Sequence, residues 1–246
     1  MPETGHKSLL EMKVLISIWI WMAGMCYFVV CLFFILVCTY ILPERIYDPW
    51  MKKMMRFLFV LTLTKVEAEG LRNVKPGTTY LFMANHVSLF DLFILGGYIP
   101  GIVRGVEAHS HHSWPLYGWV SRRLGNIPIE RESVHNSMSS FRRTLRLMNN
   151  GRSMIILPEG HRTLDGQLKP FKKLPFMLAQ QAGTGIIPIG LSGMYHLKRK
   201  GNWMISPTKI KISFGQEVTP EQISSLSIGE LRDYVQTEIG KLIERP

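Results

Sequence analysis

The chain has 246 residues, 46% of them hydrophobic, with 29 Lys and Arg against 18 Asp and Glu and a formal charge of +11. That length suits one catalytic-sized domain plus an attachment segment, and the basic balance points to anionic partners. With no zinc-finger spacing, RNP-like aromatic pattern or basic recognition helix, those partners read as lipid headgroups or a phosphorylated substrate, and nucleic acid is set aside.

The first element is an uninterrupted apolar run, Val14 to Ile41, without a charged residue. About 20 residues cross a hydrocarbon core, so the run is long enough to do so, and it is too long for the apolar region of a signal peptide. It ends at Leu42-Pro43-Glu44-Arg45, which is no small-residue cleavage site. Cys26, Cys31 and Cys38 all fall inside it, leaving the rest of the chain without a disulfide, a thiol nucleophile or a cysteine metal site. Asp48-Pro49 reads as the N-cap and first turn of a second helix, in which Lys52, Lys53 and Arg56 beside Trp50, Met54, Met55, Phe57 and Leu58 suit lipid-phosphate level. The two helices either include a true span or form a hairpin that enters one leaflet and returns. Residues 1–65 are thus expected to anchor and residues 66–246 to form the catalytic domain. The first 42 residues balance two lysines against two glutamates, so all the formal charge lies beyond them, and Arg45, Lys52, Lys53 and Arg56 favour a cytoplasmic side for the chain after residue 43.

From there short strands alternate with helices. Strands are expected at Tyr80 to Ala84, Ile102 to Val106, Asn126 to Ile129, Met154 to Leu157, Gly185 to Gly190 and Lys209 to Phe214. Between them Met138, Phe141, Leu145 and Met148 keep helical spacing up to the stop at Asn149-Asn150-Gly151. The last helix opens on the capping-box pattern Ser227-x-x-Glu230 and carries Ile228, Leu231, Val235, Ile239 and Leu242 on one stripe. The expectation is an α/β fold with a largely parallel sheet flanked by helices.

Two stretches carry titratable groups at strand ends. In "YLFMANHVSLFD" a strand empties into Asn85-His86, with Asp91 five residues on. On one continuous helix those positions differ by about 140° and do not meet. They meet if His86 ends the strand and a helix capped by Ser88 turns Asp91 back, fixing one imidazole nitrogen and leaving the other as a general base. The plainer alternative is a strand-end histidine beside an aspartate that merely favours a helix dipole. In "ILPEGHRTLDGQLKPFKK" a second strand ends in Pro158-Glu159-Gly160, where glycine allows close approach, followed by His161, Arg162, Lys169, Lys172 and Lys173. His109, His111 and His112 show no ligand-spaced carboxylate partner, so no metal is expected and the loop reads as interfacial with pH-dependent charge.

Four ordered blocks over roughly residues 66–216 resemble the membrane glycerolipid acyltransferases, most closely the bacterial lysophosphatidate (1-acylglycerol-3-phosphate) acyltransferases. Asn85-His86-x-Ser88-x-x-Asp91 is similar to the family's H-x4-D block, and Trp114 to Arg131, with Pro115, Gly118, Gly125 and Arg131, to its second. Pro158 to Thr163 is similar to the third, usually P-E-G-T-R, and Ile186 to Gly190 to the fourth. Two departures are a histidine-rich run at Ala108 to His112, where the family often has a lysine-glutamate pair, and His161 in place of Thr or Ser.

The resemblance implies acyl transfer from an acyl-CoA or acyl-ACP thioester to the 2-hydroxyl of lysophosphatidic acid, with His86 as base and Asp91 orienting it. It needs no cofactor and no acyl-enzyme. Backbone donors near Asn85 and Ser88, or after Gly160, would hold the oxyanion; Arg162, Arg131 and then Arg104 would meet the phosphate; Glu159 would hold its loop. The implied place is the cytoplasmic face of the bacterial inner membrane. Glycerol-3-phosphate or another lysolipid as acceptor, and a silent lipid-binding module, stay open; a hydrolase is disfavoured because no G-x-S-x-G elbow occurs.

Overall fold

The computed structural model describes residues 3–130 and 134–243. Two helices, α1 (Glu3–Ile41) and α2 (Glu44–Leu61), precede a strand–helix series. It runs β1 (Lys65–Glu69), β2 (Tyr80–Ala84), α3 (Asp91–Tyr98), β3 (Val103–Ala108), α4 (Tyr117–Leu124), β4 (Ile127–Ile129), α5 (Val134–Asn149) and β5 (Ser153–Ile156). It ends with α6 (Leu174–Ala182), β6 (Gly185–Ser192), α7 (Met194–Leu197), β7 (Lys209–Phe214), α8 (Pro220–Ser225) and α9 (Ile228–Leu242). The seven strands form one sheet in the order β1-β7-β6-β2-β5-β3-β4, with every neighbouring pair parallel except β6 and β7. The α/β reading with a largely parallel sheet holds.

Strand period separates two cores. Tyr80, Phe82 and Ala84 of β2 point to one face, where α3 contributes Phe90 from its cap together with Ile94 and Leu95, and where Ile20, Leu58 and Phe59 of α1 and α2 also bury. Leu81 and Met83 point to the other, against Phe176 and Leu178 of α6, Phe141 and Met148 of α5, and Leu231, Val235 and Ile239 of α9. Because β2 has no exposed face, it reads as a continuous apolar run. Both buried stripes of α5 and α9 are those the spacing predicts, and α9 opens on the expected box: Ser227 Oγ accepts from Glu230 N–H and Glu230 Oε2 from Ser227 N–H.

Three local expectations change. β1 is a strand that the apolar pattern does not announce: Lys65, Glu67 and Glu69 make it polar, which suits a sheet edge, and its glutamates pair across to Lys209 (2.9 Å) and Lys211 (2.7 Å) of β7. The second helix starts at Glu44, not Asp48, so Pro49 lies inside it. Asp48 is buried and accepts from Arg104 at 3.2 Å instead of capping. Lys52 and Arg56, expected to meet lipid phosphates, also have partners within the protein. Lys52 Nζ donates to the carbonyls of Ile99 and Gly101, and Arg56 Nε to that of Gly97. Both therefore satisfy carbonyls at the C-terminal end of α3, where the helix dipole favours cations.

β2 connects through α3 on one face toward β3, whereas β5 connects through α6 on the other face toward β6. The adjacent carboxyl ends of β2 and β5 therefore open a crevice at a topological switch point, the usual place for a ligand in an open α/β sheet. Residues 85–91 and 157–163 leave from those two ends.

Candidate active site

His86 follows β2 by two residues, and its ring is largely buried. Its Nδ1 lies 2.8 Å from Asp91 Oδ2, and the same oxygen accepts the backbone N–H groups of Val87 (2.7 Å) and Ser88 (2.9 Å). Asp91 is fully buried at the first position of α3, so its carboxylate reaches back over the turn as the five-residue spacing requires. Three donors converge on that one oxygen, and a carboxylate at Nδ1 holds the proton on that nitrogen and leaves Nε2 as acceptor. Asp91 Oδ1 is buried with no hydrogen-bond partner among the described residues.

Ser88 is not the helix cap: Phe90 holds that position, and Ser88 Oγ donates to the carbonyl of Lys198 at 3.0 Å. Asn85 is likewise occupied. Its Nδ2 donates to Leu191 O (3.0 Å) and its Oδ1 accepts from Leu191 N–H (2.8 Å), stapling the end of β2 to β6 as a peptide group would. Asn85 and Ser88 thus fix the loop against its neighbours.

The third block closes over the first. Glu159 Oε1 accepts from His86 N–H at 2.6 Å, Oε2 from Lys169 N–H at 3.1 Å, and Thr163 N–H donates to His86 O at 2.9 Å. The histidine backbone is therefore held on both sides by a loop more than 70 residues away. Burial pushes the Glu159 carboxyl up to about 7, against the two backbone N–H groups that favour its charge. Gly160 has φ +76, and a Cβ there would come within 2.8 Å of Lys172 Cε, so glycine meets two demands at this turn.

The expected oxyanion donors are mostly engaged. Val87 and Ser88 N–H serve Asp91, His86 N–H serves Glu159, and Gly160 N–H donates to Leu157 O at 3.0 Å.

The arginines divide sharply. Arg104 is buried at 3% exposure, bonded to Glu44, Asp48 and the carbonyls of Val103 and Leu124. A guanidinium so enclosed ties α2 to β3 and has no open face for a phosphate. Arg162, half-buried, makes no hydrogen bond or ion pair with the described residues, and it stands near enough to Lys198 to lower that amine's affinity for its proton, after burial as the larger cause. Arg131 lies outside the described residues. Lys198 is absent from the expected set because 110 residues separate it from Ser88 and no local pattern marks it.

The second block is a support. The carbonyl of Pro115 accepts from Tyr117 N–H at 2.6 Å, a three-residue turn that forces Leu116 to φ +59. Gly118 sits against the carbonyl of His112, where a Cβ would collide. Of the three histidines, His112 Nε2 lies 3.1 Å and His111 Nδ1 3.7 Å from the buried Glu107, and His111 packs on Trp114 at 4.7 Å. Burial raises Glu107, but hydrogen bonds from His111, Ser121 and Tyr117 outweigh it and hold the carboxyl low. Burial lowers His112. Glu107 is thus the carboxylate partner that sequence spacing did not reveal; no cluster of metal-ligating side chains occurs among the described residues.

A family model described as Acyltransferase matches residues 65–192. A chloroplastic 1-acyl-sn-glycerol-3-phosphate acyltransferase of Arabidopsis thaliana is 28% identical over 156 residues, 60% of this chain and 44% of its own length. An enzyme of the same name from Borreliella burgdorferi is 29% identical over 182 residues, 73% of this chain and 72% of its own. The chain spans about half the length of the plant relatives it matches. The crystal structure of a 1-acyl-sn-glycerophosphate acyltransferase from Thermotoga maritima shares the fold with a TM-score of 0.81 over 94% of both chains, at 24% identity.

Proposed function

The chain belongs to the acyltransferase family, and on that premise we propose that it acylates the sn-2 hydroxyl of 1-acyl-glycerol-3-phosphate from an acyl-CoA or acyl-ACP thioester, giving phosphatidic acid and a free thiol. The observation that carries this reading is the 2.8 Å bond from His86 Nδ1 to buried Asp91, placed at the sheet's switch point with the other ring nitrogen unbound by Asp91. The names of the relatives support the choice of acceptor.

In the proposed reaction His86 Nε2 takes the proton of the acceptor hydroxyl as its oxygen attacks the thioester carbonyl. The ionised Asp91 stabilises the resulting imidazolium. When the tetrahedral intermediate collapses, the C–S bond breaks and the imidazolium returns its proton to the departing thiolate. The acceptor hydroxyl is itself the nucleophile, so neither an acyl-enzyme nor a cofactor enters. Arg162 is the first phosphate ligand and Arg131 the second, while Asn85, Ser88, Glu159 and Gly160 shape the loop that holds the base. An apolar cavity of about 100 Å³ between α1, α2, α3 and α4, lined by Phe28, Leu32, Met51, Met55 and Phe93, offers room for part of an acyl chain.

We assign residues 1–65 to membrane attachment and 66–246 to catalysis, at the cytoplasmic face of a bacterial cell membrane. The stretch Glu11–Ile41 is long and apolar enough to cross a bilayer. Yet α1 is bound to the rest of the protein toward both ends: Ser17 Oγ bonds the backbone of Ile205, and Arg123 donates to the carbonyl of Thr39. Leu15, Trp19, Met22, Val30, Phe33, Val37 and Ile41 face outward along its length. This favours a helix lying in one leaflet with a single face in lipid.

The test is product formation from a labelled acyl thioester by the full chain in liposomes, with lysophosphatidate and glycerol-3-phosphate competing. Labelled phosphatidate, lost in His86→Ala, is the expected result. Transfer to glycerol-3-phosphate alone would replace the acceptor, and activity surviving in His86→Ala would remove the base.

A further inference from the structure

Lys52 and Arg56 of α2 are spent on the carbonyls that end α3. The helices run antiparallel, with Phe34 near Trp50, Tyr27 bonded to Met54 O and Gly24 beside Leu58, so the exposed Arg45 stands toward the C-terminal end of α1. Lys13 on α1 and Lys53 on α2 stay exposed, and a further pair of cations reaches the N-terminal half of α1 from elsewhere in the fold.

The segment 198–208 between α7 and β7 is fastened there. Trp21 Nε1 donates to the carbonyl of Trp203 at 2.7 Å, Ser17 Oγ accepts from Ile205 N–H at 3.0 Å, and the Lys198 amine lies 5.9 Å from the Trp21 ring centre. Inside the segment the Lys198 amine donates to the carbonyls of Arg199 and Asn202, which curls the chain. That curl leaves Arg199 and Lys200 exposed, with the Arg199 guanidinium over the Tyr195 ring, and leaves Trp203 half exposed. Two cations and an indole thus stand exposed on a segment fastened to Ser17 and Trp21 of α1, the helix that also exposes Leu15, Ile18 and Trp19. Aromatic rings with adjacent amines or guanidiniums are what a bilayer interface accommodates, the ring at headgroup depth and the charge on phosphate.

We propose that this segment is a second membrane-contact element, which binds an anionic bilayer surface through Arg199 and Lys200 while Trp203 enters the interface next to α1. The inference rests on the reading of α1 as a helix lying in the leaflet, but not on the reaction assigned to His86. Its position matters to the site, because the carbonyl of Lys198 receives Ser88 Oγ, one turn from Asp91. Headgroup contact and the base-holding loop are therefore separated by a single residue of this segment.

The test uses the full chain exchanged from detergent into vesicles of phosphatidylcholine alone or mixed with phosphatidylglycerol, with the bound fraction read by flotation. Wild type should prefer the anionic vesicles. R199A/K200A should lose about 30-fold of binding to them, about fivefold per cation, with binding to phosphatidylcholine unchanged. R199E/K200E should lose more, and high salt should erase the difference among the three proteins. An unchanged anionic preference in R199A/K200A, an equal loss on both vesicle types, or no further loss on charge reversal overturns the proposal. Wild type that binds both vesicles equally sinks the segment's role alone, whereas wild type that binds neither sinks the reading of α1.

Discussion

On one face of the sheet α5 and α9 turn charge outward: Arg142, Arg143 and Arg146 on α5 and Asp233 on α9 are exposed above a core of Phe141, Phe176, Leu231 and Val235. On the other face α1 and α2 bury Ile20, Leu58 and Phe59 against the same sheet, yet expose Trp19, Val30, Phe33, Trp50 and Phe57. Each pair of helices satisfies the sheet, but α1 has apolar side chains on its outer side as well as its inner one. An apolar outer surface of that extent is what the proposed leaflet contact of α1 requires.

The largest test of this contrast removes one aromatic from the water-facing half. Phe176→Ala should cost about 3 to 5 kcal/mol of unfolding free energy in denaturant titration, since Phe176 is fully buried between α6 and the sheet. Next comes the joint between α2 and the sheet. Arg104→Met leaves Glu44 and Asp48 without their buried partner and should cost about 3 kcal/mol, with the KM for lysophosphatidate unchanged. A rise in that KM with stability intact would return Arg104 to the phosphate site.

Glu159 gives a pH dependence in between. Its folded pKa of about 7 exceeds the usual carboxylate value, so the folded state binds the extra proton. The cost of burying its charge is absent below about pH 4.5, grows as pH rises toward about 7 and then levels, amounting to about 3 kcal/mol. Glu159→Gln should remove that decline from the melting temperature measured against pH; a parallel decline in both proteins would place the titration elsewhere. On α1, Trp19→Ala should leave stability in detergent within about 0.5 kcal/mol and weaken vesicle binding by about 2 kcal/mol, the reverse of Phe176→Ala. The smallest effect is expected at α9, where Ser227→Ala removes the capping box and about 1 kcal/mol in thermal unfolding.

Much of the fold is legible in the sequence because local chemistry is strong where it is regular. The apolar strands Tyr80 to Ala84 and Lys209 to Phe214 begin and end as the sequence pattern predicts, and α9 keeps its box and stripe. His86 and Asp91 also meet, the one of the two arrangements open to their spacing that a strand-to-helix turn between them permits. β1 stays hidden because an edge strand with Lys65, Glu67 and Glu69 lacks the apolar signal on which strand recognition depends. The start of α2 is misplaced because Asp48-Pro49 carries a strong capping signal that a buried ion pair with Arg104 overrides.

What the sequence alone determined, then, is whatever depends on neighbours within a few residues: the apolar first helix, the alternating elements, the dyad and the family its blocks resemble. What only the tertiary structure decided is the partner of each long polar side chain. Arg104 and Arg162 look alike in the chain, yet one is enclosed by two carboxylates from α2 and the other is left without a hydrogen bond among the described residues. Lys52 and Arg56 look like lipid contacts, yet carbonyls at the end of α3 take them. The physical reason is reach: a lysine or arginine spans several ångströms from its backbone. Its partner is therefore set by which distant carbonyl or carboxylate the fold brings within that radius, information that no window of sequence contains.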